Sequence, residues 1–303
     1  MTTTAPHAQH TAPVALGDVR LSFPRLIRSE WIKLRTIRST VWCFLILFVV
    51  NIGLTILAAS VGSFGDGHLS GAAGEQAGVS VITLGVNLTS LVVAVLGVLI
   101  VSGEYATGMI RSTFTADPGR LGALFAKAVV LAVSTFVVSA ASTWIAALIA
   151  VPILSGKGVD FSLASDKVFM PILGSSVYVT LLALLAFGIG LLVRTTAGGI
   201  AIALGLLLVL PPILQILGGL VNADWASNIN AFLPSEAGRH LYQYDTGSTA
   251  TVQSGGDGGP GGSAGASDSG IVVLNGWEGF GVTAGLVFLL GCVSLFLVKR
   301  RDA

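Results

Sequence analysis

Apolar residues along this chain gather into six long runs that are separated by shorter polar segments. A helix needs roughly 20 apolar residues to cross the hydrocarbon core of a bilayer. Five of the runs reach that length without interruption, and the fifth run along the chain contains Pro211 and Pro212. This pattern predicts an all-α integral membrane protein with six transmembrane helices. The predicted spans are residues 41–61, 79–102, 121–154, 171–193, 198–220 and 279–298.

The proline pair predicts a kink or a break in the fifth span. Proline has no backbone N–H to donate, and its ring clashes with the carbonyl group one turn earlier in a helix. Neighbouring helices in a membrane can satisfy the carbonyl groups that are released in this way. We therefore expect residues 198–220 to cross the membrane despite Pro211 and Pro212.

Lysine and arginine residues concentrate on alternate segments between the spans. With a cytoplasmic N-terminus, six precede the first span, three lie at the connection between the second and third, one lies between the fourth and fifth, and three follow the sixth. The outer segments hold Lys157, Lys167 and Arg239. Cytoplasmic segments of membrane proteins carry an excess of lysine and arginine. The distribution predicts that both termini are cytoplasmic.

The composition agrees with a membrane protein and argues against some other classes. Hydrophobic residues make up 53% of the chain and charged residues 10%, whereas soluble domains contain about 25% charged residues. Lipid is therefore expected to cover much of the surface. The net charge of +1 gives no overall basic field, so we expect no nucleic-acid partner.

Motifs of catalysis and cofactor binding are missing from the sequence. There is no GxxxxGK(S/T) loop for nucleotide phosphates and no HExxH motif, and the four histidines are scattered. The spans also lack the buried carboxylates and histidines that proton- or ion-coupled carriers use. We therefore expect no catalytic, cofactor-binding or metal site. Such a chain must take its energy from a partner, transport passively, or not transport at all.

The domain organisation follows from these patterns. We expect residues 1–20 to be a disordered cytoplasmic tail and residues 21–40 to be an amphipathic helix. Residues 41–303 form the six-span transmembrane domain. Its longest outer loop is 221–278, and the Gly/Ser-rich stretch 247–270 within it has the composition of a flexible linker.

Residues 22–38 have apolar positions at helical spacing, with basic residues between them. Ser22 can cap such a helix and Pro24 suits its first turn. The helix would lie in the headgroup plane of the membrane. Two roles stay open: an anchor that attracts anionic lipid, or a contact with a cytoplasmic partner. The candidate interface residues are Trp31, Lys33, Arg35 and Arg38.

The connection between the second and third spans reads GEYATGMIRSTFTADPGR, with Glu104 where the second span ends. Asp117 and Pro118 are typical of a helix N-cap followed by proline at the first helical position. A short helix projecting into the cytoplasm would fit between Glu104 and Pro118. A plain polar connection would fit the same residues.

Uncharged polar residues also lie within the spans. Asn51, Asn87 and Gln215 can form hydrogen bonds between helices, or they can contact a substrate along a pathway. Both interpretations stay open at this point.

Three segments resemble the permease subunits of type-2 ABC exporters. They are SEWIKLRTIRST before the first span, EYATGMIRSTFTADPGRLGALFAK after the second, and FLPSEAG before the last. The resemblance extends over all six spans and is most specific between Glu104 and Lys127. The Gly-rich stretch 247–270 is not part of the family pattern.

The resemblance implies a dimer of two six-span permeases, either two copies of this chain or this chain with a paralogue. Each permease would bind a separate cytoplasmic ATPase subunit, which holds the ATP and Mg²⁺. An interface helix would precede the first span, and a coupling helix would extend from Glu104 to Pro118. The residues implied in coupling to the ATPase are Glu104, Tyr105, Gly108, Arg111, Asp117, Pro118 and Arg120.

Individual roles follow from the resemblance. Glu104 and Arg111 would make polar contacts that hold the coupling corner together, Gly108 would allow tight packing, and Pro118 would fix the entry to the third span. The outer segment 222–242 would cap the pathway.

The resemblance further implies ATP-driven export across the cell membrane of a bacterium. The substrate class stays open among small molecules, peptides and lipids. A membrane scaffold that recruits a cytoplasmic protein without transport is the alternative function, and a passive pore is a third.

Overall fold

The structure is a computed structural model that describes residues 22–64, 68–109, 121–220, 223–244 and 274–301. Within these residues the protein is helical and contains no β-strand. Six helical stretches are long and apolar enough to cross a membrane: Arg38–Val61, Ala72–Thr107, Gly122–Ser155, Asp166–Val193, Thr196–Leu220 and Gly276–Leu297. The prediction of an all-α protein with six transmembrane helices is confirmed.

The described helices are numbered along the chain. They are α1 (Phe23–Thr36), α2 (Arg38–Val61), α3 (Ala72–Thr83), α4 (Val86–Thr107), α5 (Leu121–Ser155), α6 (Asp166–Val193), α7 (Thr196–Leu204), α8 (Leu210–Leu220), α9 (Asp224–Ala231), α10 (Pro234–Arg239) and α11 (Gly276–Arg301). A π-helical turn, Gly205–Val209, joins α7 to α8.

Helix α1 is separate from the first span but directly joined to it. Ile37 alone lies between them, in an extended conformation with φ −76° and ψ 115°. Pro24 lies in the first turn of α1 as predicted, whereas the Ser22 side chain makes no capping hydrogen bond. Because one residue is the whole linker, any displacement of α1 must also move the start of α2.

The second span is longer than the apolar run 79–102 from which it was predicted. It consists of α3 and α4, which together extend over Ala72–Thr107. A helix of this length exceeds what is needed to cross the bilayer core. The two helices meet at Gly85, where an added Cβ would lie 2.5 Å from Asn51 Oδ1 on α2. Glycine is therefore required for this close approach.

The proline pair does not end the fifth span. Pro211 and Pro212 lie at the start of α8, directly after the π-helical turn Gly205–Val209. A π-helical turn changes the backbone hydrogen-bond spacing, and it is a known way to accommodate a local disruption in a helix. The predicted kink or break thus takes the form of a π-helical turn inside a continuous span.

Helix α6 is the centre of the bundle, and α4 packs against it more extensively than any other helix does. Within α6, 67% of the span is buried, compared with 11% in α11. Small residues bring α4 and α6 together, since a Cβ added at Gly190 would lie 3.2 Å from Val98. Such small-residue contacts let helix backbones approach closely in membranes.

Helices α9 and α10 cover one end of the bundle, called here the α10 end. Tyr242, just after α10, donates a hydrogen bond to Asn87 Oδ1 at 3.1 Å and packs against the Tyr178 ring at a centroid distance of 5.1 Å. Tyr244 donates to Glu75 Oε2 at 2.7 Å. These contacts fasten the segment after α10 onto α3, α4 and α6. The predicted tail 1–20 and linker 247–270 lie outside the described residues.

Candidate functional site

Four charged side chains meet at the other end of the bundle, called here the α1 end. They are Glu30 and Lys33 of α1, Glu104 of α4 and Lys127 of α5, and we call them the charged cluster. Lys127 Nζ lies 2.7 Å from Glu30 Oε2 and 2.7 Å from Glu104 Oε1. Lys33 Nζ lies 2.7 Å from Glu30 Oε1 and 3.2 Å from Glu104 Oε1. Each acid therefore contacts both bases in a closed ring.

The charged cluster is largely withdrawn from solvent. The side chains of Glu30 and Glu104 are each 5% exposed, Lys127 is 6% exposed, and Lys33 is 30% exposed. Burying an ion costs several kcal/mol unless the partners are close and well placed. Two acids and two bases in alternation meet that requirement, since the formal charges of the cluster cancel.

The local sequence explains how each helix presents its charge. Glu30 and Lys33 are three residues apart and therefore share one face of α1. Glu104 lies in the last turn of α4, and Lys127 lies in the second turn of α5. The cluster thus joins α1 to the two helices that flank the 108–120 connection.

The pKa of Lys33 reflects a balance between burial and its two acidic neighbours. Burial by itself would lower the pKa of Lys33, but the hydrogen bond to Glu30 and the negative charges of Glu104 and Glu30 outweigh it. The net result is a pKa above the usual lysine value. The stabilisation from this raised pKa is fully present below the unfolded-state value of 10.5 and is lost only as the pH rises through the folded-state pKa. Lys33 is therefore charged at any physiological pH.

The two carboxylate oxygens of Glu104 differ in their contacts. Both lysines bind its Oε1, while the buried Oε2 has no hydrogen-bond partner within the described parts of the chain. An unpaired buried acceptor is costly. This corner of the cluster can therefore gain from a further donor.

The structure brings together two residues that the sequence analysis had placed in different groups. Lys33 was a candidate interface residue and Glu104 a candidate coupling residue, and they lie 3.2 Å apart. The analysis missed Glu30 and Lys127. A signal for both was present, because Glu30 is the one acid in α1 and Lys127 is the one charge in the long apolar run of α5. Isolated charges in such segments usually have a partner.

The other interface candidates point away from the cluster. Trp31 is 41% exposed, and Arg35 and Arg38 are also exposed. They are therefore available to lipid or to a partner.

Of the remaining coupling candidates, Tyr105 and Gly108 are described. The Arg194 guanidinium lies 5.3 Å from the centre of the Tyr105 ring, which links the end of α4 to the end of α6. Gly108 ends α4 with a left-handed φ of 71°. A left-handed φ favours glycine at this position. No described atom lies within 4 Å of a Cβ added there, and the expected role of Gly108 in tight packing stays a prediction. Arg111, Asp117, Pro118 and Arg120 lie outside the described residues.

The three candidate pathway residues each form a hydrogen bond to another part of the protein. Asn51 donates to Ser142 Oγ and Thr143 Oγ1, both at 3.1 Å, and so bonds α2 to α5. Gln215 donates to Glu236 Oε1 at 3.2 Å, and Asn87 accepts the bond from Tyr242. The bonds of Asn51 and Gln215 join helices and support the interhelical interpretation, whereas the bond of Asn87 joins α4 to the segment after α10. A role in the pathway stays a prediction.

Comparison with known protein families identifies a relationship over most of the chain. The model of a family described as "ABC-2 family transporter protein" matches residues 26–220. This range includes the whole charged cluster and the first five spans, and it is more than half of the chain. No curated protein gives a significant match.

Proposed function

This chain belongs to the ABC-2 transporter family, and on that premise we propose that it is the permease subunit of an ATP-driven exporter. Members of the family are generally non-catalytic membrane components that work with an ABC ATPase. The chain is a multi-pass membrane protein with six spans. The ATPase that drives this particular chain, and the outward direction of transport, are parts of the proposal.

The observation that carries the proposal is the position of the charged cluster. Glu104 is four residues before Gly108, where the connection to α5 begins, and Lys127 is seven residues after its end. Glu104 binds Lys33 and Lys127 binds Glu30, so the two flanks of the connection are both tied to α1. A force applied to this connection would reach α1 through the cluster, and would then reach α2 through Ile37.

The coupling follows from that linkage. The ATPase subunit, which holds the ATP and Mg²⁺, would bind the α1 end, with Arg111 and its neighbours in the connection as contact residues. Closure of the ATPase would move α1, α4 and α5 together as rigid bodies, because ion pairs between packed helices resist independent motion. The α9–α10 cap at the opposite end would then open to release substrate.

A dimer and a membrane location complete the proposal. Two permeases, either two copies of this chain or this chain with a paralogue, would enclose the pathway in the cell membrane of a bacterium. The α1 end faces the cytoplasm in this arrangement, in agreement with the lysine and arginine distribution. The exported substrate would be a small molecule, a peptide or a lipid.

A reconstitution experiment tests the proposal. The chain is co-expressed with an ABC ATPase encoded by a neighbouring gene, and the pair is purified and reconstituted into liposomes. We expect Glu104→Gln to lower permease-stimulated ATP hydrolysis by about tenfold, since it removes a charge-assisted contact worth 1.5–3 kcal/mol. ATP hydrolysis and the amount of inserted permease are measured in the same preparation.

The matched control is Glu278→Gln, which alters an exposed acid at the start of α11, at the opposite end of the bundle. This control should hydrolyse ATP at the wild-type rate. Normal coupling in Glu104→Gln would remove the cluster from the mechanism. Binding of a partner without any ATP-dependent transport would instead favour the scaffold function.

A further inference from the structure

The charged cluster determines how α1 is turned about its own axis. Successive residues of an α-helix are about 100° apart. Glu30 and Lys33 are therefore about 200° and 140° around the helix from Arg28, whereas Arg35 is only about 20° from it. Because Glu30 and Lys33 are bound to the bundle, Arg28 and Arg35 must point away from it. Their exposed side chains agree with this orientation.

The outward face of α1 is cationic, and no acidic side chain is paired with Arg28 or Arg35 within the described parts of the chain. Glu30 is the one acidic residue from Ser22 to Phe64, and it is buried in the charged cluster. Neither Arg28 nor Arg35 has an ion-pair partner among the residues that the structure describes. Two turns of helix separate these arginines by about 10 Å. The cluster thus neutralises one face of α1 and leaves the other positively charged.

Large apolar side chains share this outward face. Trp31 is 41% exposed and Ile32 is 52% exposed, and both lie between the two arginines along the helix. Helix α1 ends only one residue before the span that begins at Arg38. Tryptophan beside arginine at this depth is typical of the boundary between headgroups and acyl chains.

We propose that the outward face of α1, formed by Arg28, Trp31, Ile32 and Arg35, binds anionic phospholipid headgroups. The two guanidinium groups contact the lipid phosphates, and the Trp31 and Ile32 side chains enter the apolar boundary beneath them. The charged cluster is what makes this binding specific, because it holds α1 with these four side chains directed outward. This role is independent of the substrate and of the ATPase.

A lipid surface explains this face better than an ATPase surface does. The arginines could pair with acidic residues of a protein, but Trp31 and Ile32 would then have to leave an apolar layer that begins one residue from the end of α1. A membrane supplies the negative charge and the apolar layer at the same place. In this arrangement the ATPase binds the connection between α4 and α5 rather than the outward face of α1.

The test measures which lipids accompany the full chain. The protein is reconstituted into nanodiscs made from phosphatidylglycerol and phosphatidylcholine, and native mass spectrometry counts the lipids that stay bound. We expect enrichment of phosphatidylglycerol in the wild type. Arg28→Gln with Arg35→Gln should lose about twenty-fivefold in binding, at roughly fivefold for each charge. Added salt should weaken the wild-type enrichment, because it screens surface charges.

Two variants separate this contact from a structural role. Arg28→Lys with Arg35→Lys keeps both charges and should keep most of the enrichment, whereas Arg239→Gln at the α10 end should change nothing. Equal binding of the two lipids by the wild type would overturn the proposal. It would also be overturned if the glutamine variant kept its lipids and lost its ATPase, since the face would then belong to the partner protein.

Discussion

Replacing Lys127 with methionine is expected to destabilise the protein by about 3–5 kcal/mol, which is the usual cost of removing one partner from a buried ion pair. Lys127 is 6% exposed and binds both Glu30 and Glu104 at 2.7 Å. Methionine fills a similar volume but leaves two buried carboxylates with Lys33 as the remaining cation among the described residues. The free energy of unfolding, measured by titration in mixed micelles, gives the size of the effect.

Two comparisons show whether charge is the cause. Lys167→Met removes an exposed lysine at the other end of the same bundle and should change stability by less than about 1 kcal/mol. Adding Glu104→Gln to Lys127→Met restores neutrality in the cluster, so the double variant should be more stable than Lys127→Met alone. A Lys127→Met protein as stable as the wild type would show that the cluster contributes nothing to folding.

Replacing Gly174 with alanine is expected to destabilise the protein by about 2 kcal/mol and to displace the segment after α10. The new Cβ would overlap the backbone carbonyl oxygen of Leu241, and backbone cannot rotate away as a side chain can. Overpacking of this kind typically costs 1–3 kcal/mol. The usual gain of 0.5–1 kcal/mol for alanine over glycine in a helix offsets only part of that cost.

A double-variant experiment tests whether the segment after α10 is displaced. Tyr242→Phe alone should cost about 1 kcal/mol, since it removes the 3.1 Å hydrogen bond to Asn87. In the Gly174→Ala background the same change should cost almost nothing, because the bond has already been lost. Gly281→Ala, where no described atom lies within 4 Å of the added Cβ, should be neutral or slightly stabilising. Additive effects of Gly174→Ala and Tyr242→Phe would contradict this account.

The spans could be predicted from the sequence because the thickness of the bilayer determines how many consecutive apolar residues each span needs. A helix must contain enough apolar residues to cross the bilayer. Each of the six apolar runs therefore predicted one membrane-crossing helical stretch. The second span was underestimated because its first turns, around Glu75, are too polar to count as apolar. Tyr244 binds Glu75 from a distant part of the chain, and no local pattern could reveal that contact.

The candidate site was only partly predictable. Lys33 was selected from an amphipathic pattern and Glu104 from a resemblance, and neither carries information on which charges meet. Glu30 and Lys127 are 97 residues apart, and charge attraction does not specify sequence separation. The π-helical turn before Pro211 and the left-handed conformation of Gly108 could not be predicted either. The residue types at these positions are compatible with such backbone conformations but also with others.

The sequence by itself determined that this protein is helical, lies in a membrane and crosses it six times, because burial in lipid depends on the hydrophobicity of each segment. Tertiary structure alone decided that Glu30, Lys33, Glu104 and Lys127 form one neutral cluster. It thereby decided which face of α1 turns outward. The physical reason is that a buried charge is tolerated only beside its opposite, and the arrangement of α1, α4 and α5 places those opposites within reach.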